Sequence, residues 1–179
     1  MLPGFFFPSP LVTQPPGPLL LMPIDSTLQR KIMGRFATGV TVVTTGVEGR
    51  HGGLTANAIC SLSLNPPLVL VAVDKRAGSH AELLEHRHYA VNILAADQEE
   101  LSQRFAKPGP KDFTGLKWKT AVTGAPIFEG TLGYLDCTLV EVLPGGDHDI
   151  FIGEIVAGEL NDEQPPLLYF SGKYRRLAE

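Results

Sequence analysis

The segment GLTANAICSLSLNPPLVLVAV, Gly53 to Val73, sets the architecture of the chain. Its last part, Leu68 to Val73, is a near-continuous apolar run of strand length, as expected of a strand covered on both faces. Asn65-Pro66-Pro67 makes the turn before it. On the other side of that turn, Thr55, Asn57, Ser61 and Ser63 fall on alternate positions with Ile59 as the only interruption. Side chains two apart project from the same side of a strand, so this spacing predicts one face lined with small hydroxyl and amide groups. Such a face suits open solvent. It suits equally a ligand with a phosphate tail and a flat polar ring, which these groups hydrogen-bond without adding bulk. Spacing alone leaves both readings open.

Outward from this segment the pattern stays short-period. Asp25-Ser26-Thr27 offers N-caps for a helix whose Leu28, Ile32, Met33 and Phe36 recur at helical spacing. Val40 to Gly46 is β-branched and reads as a strand, and His51 to Leu64 reads as a second one. Gly78-Ser79 opens a helix running to His88, and Tyr89 to Leu94 returns as a strand. Asp97 is the expected cap of a helix that turns Leu101 and Phe105 inward. Residues 111 to 130, with Trp118 and several glycines, read as a long excursion. Thr131 to Val142 and Asp147 to Leu160 form two long strands around Pro144-Gly145-Gly146, and Leu167 to Phe170 is a short last strand. Six or seven strands with few helices predict a mainly β domain, a closed antiparallel barrel with short helices on its rim. The domain spans 25–179, preceded by an irregular Pro-rich arm over 1–24.

Composition narrows the function classes. The chain has 179 residues, 44% hydrophobic and 19% charged, with a net charge of −4. The 15 Lys and Arg are scattered, which argues against a nucleic-acid binder. The apolar N-terminal arm is broken by proline too often for a spanning helix, which needs about 20 uninterrupted residues. It also lacks the basic start of a secretory signal. No membrane association is therefore expected. Cys60 and Cys137 sit in apolar runs without metal-ligand spacing and read as buried reduced thiols, which favours a cytoplasmic setting. His86 and His88 lack a third ligand and read as exposed residues where helix meets strand, so no metal is expected.

Three segments, in order, carry a resemblance: RFATGVTVVTT at Arg35 to Thr45, GLTANAICSLSLNPPLVLVAVD at Gly53 to Asp74, and GDHDIFIGEIVAGE at Gly146 to Glu159. With PLLYFSGKYRRL at Pro166 to Leu177, the chain resembles the flavin reductase family from about Thr27 onward. These are the small reductase components of two-component flavin-dependent monooxygenases, and the resemblance implies an FMN-binding split barrel of Greek-key type. It also implies hydride transfer from NADH or NADPH to FMN or FAD, with reduced flavin supplied to a partner oxygenase. A homodimer that builds its pocket across the subunit boundary is implied as well. A flavoredoxin-like electron carrier without nicotinamide oxidation is the alternative.

The resemblance assigns flavin contacts to Thr55, Ala56 and Asn57, and the ribityl-phosphate region to Ser61 and Ser63, with Leu62 between them. Val73, Asp74 and Lys75 belong to the loop beside the flavin ring, Ser79 to the phosphate, and Phe105 and Ala106 to an "FA" element near the flavin. His148 is implied in binding nicotinamide at the flavin face, and Tyr174 is a tail aromatic near the site. Taken singly, Phe105 reads as core, Ser79 as an N-cap and His148 as a histidine in a Gly/Asp-rich turn. Ala58 departs from the serine common at its position and removes one hydroxyl donor; Cys60 is a second departure.

Overall fold

The β-branched run of the second strand is the longest buried run among the described residues. In the computed structural model, which describes residues 24–47, 49–161 and 164–177, six of the seven residues of Thr41–Val47 are buried. Because successive side chains alternate, Val43 enters one core with Val71, Val73, Tyr89 and Phe151. Val42 enters another with Leu94, Phe105, Phe128 and Leu167, on the opposite side of the strand. Two-sided burial needs flanking strands and covering layers on both faces, and the topology supplies them.

The elements, in chain order, are α1 (Ser26–Met33), β1 (Thr38–Gly39), β2 (Thr41–Val47), β3 (Arg50–Ala56), β4 (Ile59–Leu64) and β5 (Pro67–Asp74). Then come α2 (Gly78–His86), β6 (His88–Ile93), α3 (Glu99–Ala106), β7 (Trp118–Lys119) and β8 (Ile127–Phe128). The chain ends with β9 (Gly133–Gly145), β10 (His148–Leu160), β11 (Leu168–Phe170) and β12 (Lys173–Arg175). A seven-stranded antiparallel sheet has the order β3-β2-β6-β9-β10-β5-β4, and β1-β11-β12 form a small second sheet. The domain is therefore mainly β with three helices, as expected. The edge strands β3 and β4 are joined through Asn57-Ala58, and no ladder pairs them to each other among the described residues.

The structure corrects several expectations. The single strand expected over His51 to Leu64 is two strands, because the chain leaves β2 after Ala56 and crosses to pair β4 with β5. Asp97 is not the cap of α3; Gln98 holds the cap position, and its Oε1 accepts instead from Ala95 N at 3.0 Å. Cys60 is exposed, whereas Cys137 is buried as expected. His86 and His88 are half-buried and bonded, His86 Nδ1 to Thr45 Oγ1 at 3.2 Å and His88 Nε2 to Gly46 O at 2.9 Å. No cluster of three metal-ligating side chains occurs among the described residues. The helix expected from Leu28, Ile32 and Met33 is present as α1, with none of its residues buried, and Met33 and the following Phe36 are 59% and 70% exposed.

The expected excursion is pinned to the sheet. Asn92, fully buried on β6, accepts from Phe128 N at 2.8 Å and donates to Pro126 O at 3.4 Å. Buried Asp136 on β9 accepts from Val122 N at 2.7 Å and Thr123 N at 2.9 Å. The bond to Phe128 N satisfies a buried loop amide, and together these bonds tie the excursion to the sheet. The N-terminal arm expected over 1–24 lies outside the described residues apart from Ile24, which is exposed. No described helix is long and apolar enough to cross a membrane.

Candidate functional site

The expected polar residues fall into two groups at neighbouring places on the sheet. The first surrounds Asn57, at the crossing between the two sheet edges. β3 ends at Ala56 because its partner β2 begins at Thr41, and Thr41 Oγ1 closes the pairing on Ala56 O at 2.7 Å. Asn57 is left exposed, its Nδ2 donating to Thr38 Oγ1 at 3.2 Å.

A cavity of about 230 Å³ opens on one side of Asn57, lined also by Thr55, Ser102, Ala106, Tyr169 and Tyr174. Thr55 Oγ1 donates to Ser102 O at 2.6 Å, and Ser102 Oγ lies 2.8 Å from Tyr174 Oη. The Tyr169 and Tyr174 rings meet edge to face at 5.4 Å. Among the described residues, no charged side chain lines this cavity. On the other side of Asn57 a groove of about 480 Å³ runs between Phe36, Thr38, Ile59, Ser61 and Ile155. Neutral donors and acceptors beside apolar walls suit a flat, weakly polar ring system, and on that ground the residues present fit a flavin.

The second group lies where β5 ends and β10 begins. His148 stands opposite Asp74 in the ladder. Its Nδ1 lies 2.7 Å from Asp147 Oδ1, so in the neutral ring the proton sits on Nδ1 and the lone pair on Nε2. The bond from His148 holds the Asp147 carboxyl below the usual carboxylate range. Hydrogen bonds from Arg76, at 2.8 Å to each carboxylate oxygen, hold Asp74 far below it. Lys75 Nζ donates to Gly146 O at 2.7 Å and lies 3.3 Å from Asp149 Oδ1. A backbone bond from Ala72 N to Ala58 O, 2.9 Å, ties the two groups together. His148 lines neither the cavity nor the groove beside Asn57.

Other expected residues sit differently. Val73 is fully buried core, and Phe105 is buried against Phe113 and Phe128. Ser79 is buried and its hydroxyl donates to Gly53 O at 2.5 Å, so in this rotamer its proton is not available to a phosphate. Ala56 is buried at the end of β3. Ser61 faces the groove, but a register shift between Ser61 and Ser63 leaves exposed Leu62 unpaired, and Ser63 Oγ accepts from Asn65 N at 3.2 Å in the turn. Thr55, Asn57, Ser61 and Ser63 therefore do not share a strand face, which corrects the period-two reading. Sequence reasoning missed Ser102 and Tyr169. The signal for Tyr169 lay in YFSGKY, where a Ser171-Gly172 turn sets it across the hairpin from Tyr174.

Comparison with known proteins agrees with this architecture. The chain belongs to the flavin reductase family: the family described as Flavin reductase like domain matches residues 33–178. It is 37% identical over 175 residues to an NADH-dependent FAD reductase of Streptomyces globisporus, covering 95% of this chain and 94% of that one. It is also 37% identical over 155 residues to the reductase component of a 4-nitrophenol 4-monooxygenase/4-nitrocatechol 2-monooxygenase of Rhodococcus opacus, covering 87% and 83%. Among solved structures, BorF, the flavin reductase component of a bacterial two-component tryptophan halogenase, superposes with a TM-score of 0.81 at 40% identity. That match covers 87% of this chain and 99% of BorF.

Proposed function

We propose that the protein is an NADH-dependent flavin reductase that reduces FMN or FAD and supplies the reduced flavin to a partner monooxygenase. The observation that carries this reading is the uncharged polar cavity at Asn57, set in a chain of this family. Relatives named as an NADH-dependent FAD reductase and as the reductase component of a monooxygenase support the reaction and the partner class.

In this reading Asn57 and Thr55 hydrogen-bond the flavin's polar edge, and Ala56 contributes backbone there. Ala106, Tyr169 and Tyr174 form the wall against it. Ser61 and Ser63, with Leu62, border the ribityl-phosphate side, and the end of β5 at Val73 and Asp74, with Lys75 after it, adjoins them. Ser79 opens α2, whose N-terminal amides add positive potential toward a phosphate. Bound flavin supplies the ring that accepts the hydride. The chain's own task is to orient the two rings and exclude water between them, which needs no side-chain nucleophile. His148 is the residue we place against the nicotinamide. NADH is favoured over NADPH as the co-substrate.

The finer architectural reading is that the domain, residues 25–179, is a split barrel closed through Asn57-Ala58, active as a homodimer. The outward apolar stripe of α1 with Phe36 supports the dimer, since it lies beside the groove that Asn57 and Ile59 line. A second copy covering it would remove a large apolar patch from water. The free thiols of Cys60 and Cys137 suit a cytoplasmic setting.

The test mixes purified protein with NADH and either FMN or FAD and follows loss of the reduced-nicotinamide absorbance. Flavin-dependent oxidation of NADH is expected. Flavin binding without any NADH oxidation would leave an electron carrier of the flavoredoxin kind in its place.

A further inference from the structure

The hairpin tip that carries His148 is the short turn Gly146-Asp147, between Gly145 and His148, which pair at the end of the β9–β10 ladder. Gly145 and Gly146 close it, and Gly146 has φ +77°, a conformation that favours glycine. Neither glycine has a side chain to pack. Beyond the ladder, the tip is held from the β5–α2 connection. Lys75 N–H donates to Asp147 O at 3.1 Å, and Lys75 Nζ donates to Gly146 O at 2.7 Å.

Asp149 is gripped from two sides. Its Oδ1 lies 3.3 Å from Lys75 Nζ, and its Oδ2 lies 2.8 Å from His80 Nε2. The side chains of His80 and Asp149 are 13% and 17% exposed. His80 in turn stands edge-on to fully buried Phe151, ring centroids 5.3 Å apart and planes at 88°. Each member of the chain Phe151–His80–Asp149 is thus braced by the next, with the sheet core at its root.

His148 and Asp149 are adjacent on β10, so their side chains project to opposite faces of the strand. A strand held by one side chain on one face cannot rotate about its axis without moving its neighbour on the other. We propose that Asp149, held by Lys75 and braced by His80, is a positioning residue that sets the direction of the His148 ring and with it the affinity for NADH. The proposal rests on the assignment of His148 to the nicotinamide. Neither His80 nor Asp149 touches the reacting rings in this reading.

The test uses the full chain with saturating FAD and four variants: Asp149→Asn, which keeps the shape; His80→Phe, which keeps a ring against Phe151; His148→Ala; and the double variant His80→Phe/His148→Ala. Loss of one charge-assisted bond is expected to raise KM for NADH about fivefold in each of the first two, with kcat and the flavin Kd changed less than about twofold. The double variant should be no worse than His148→Ala alone, because the clamp acts only through that ring. Amide exchange at Lys75 N–H, bonded to Asp147 O, should quicken in Asp149→Asn and His80→Phe, a readout independent of turnover. An unchanged KM in His148→Ala overturns the assignment of His148 and the clamp with it. A raised KM in His148→Ala beside an unchanged one in His80→Phe and Asp149→Asn overturns the clamp alone. So does a double variant whose two effects multiply in full.

Discussion

Tyr174 Oη lies 2.8 Å from Ser102 Oγ, and through this contact the C-terminal hairpin is tied to α3 across the cavity that Thr55 and Asn57 line. The backbone carbonyl of the same Ser102 receives the Thr55 hydroxyl at 2.6 Å. One buried serine thus joins three separate parts of the chain at the wall of the proposed flavin pocket.

Tyr174→Phe keeps the ring against Tyr169 and removes this one bond. It should cost about 1 kcal/mol of stability and weaken flavin binding a few-fold, whereas Tyr174→Ala also opens the wall and should weaken it further. Thermal melting and fluorescence titration with FMN and FAD read the two effects separately.

Asn57→Ala separates binding from folding. The side chain is exposed and donates to the Thr38 hydroxyl at the surface, so the stability change should stay within about 0.5 kcal/mol. The flavin dissociation constant should rise about tenfold if this amide meets the polar edge of the ring. Equilibrium titration beside a denaturant melt shows whether the loss is confined to affinity.

Ser79 and Gly53 form a structural pair behind the site. Ser79→Ala leaves the buried Gly53 carbonyl without its donor and should cost about 1–3 kcal/mol. At Gly53 an added Cβ would stand 2.6 Å from Val43 O and 3.1 Å from the Phe105 ring. The carbonyl belongs to the β2–β3 ladder and the ring to a packed core, so Gly53→Ala should destabilise by about 1–3 kcal/mol or more. Urea midpoints at constant m-value measure both.

Asp74, Asp147 and Asp149 cluster where β5 meets β10, and partners hold all three below the ordinary value of 3.8. The chief cause is the hydrogen bond from Arg76 for Asp74, from His148 for Asp147 and from His80 for Asp149. A depressed folded-state pKa gives stability that is present above the unfolded value and lost as pH falls through the folded one. The melting temperature of the wild type should therefore fall as pH drops below about 4, and the gap between it and Asp149→Asn should narrow over the same range. Melts from neutral to acid pH, at fixed ionic strength, check the sign.

Most strands were legible because burial on two faces leaves a mark in residue type: Thr41–Val47 and Pro67–Asp74 read as strands from their β-branched and apolar runs alone. The long hairpin was marked by Pro144-Gly145-Gly146. The break at Asn57-Ala58 was not legible. Strand-type residues stand on both sides of the crossing, in β3 and in β4, so the alternation Thr55, Asn57, Ser61, Ser63 looks the same whether it lies on one strand or two. The outward face of α1 was hidden for a similar reason, since helical periodicity gives the width of an apolar stripe and not the layer it meets.

Local preference and composition therefore determined the class of this protein: a mainly β domain, its Lys and Arg scattered along the sequence, rich in small uncharged polar groups near Asn57. Those properties are written in neighbouring residues and need no distant partner. The tertiary structure alone decided which polar groups converge. Ser102 reaches Tyr174, and Asp149 reaches His80, across 72 and 69 positions of sequence. Such contacts depend on strand order and register, and no local spacing encodes them.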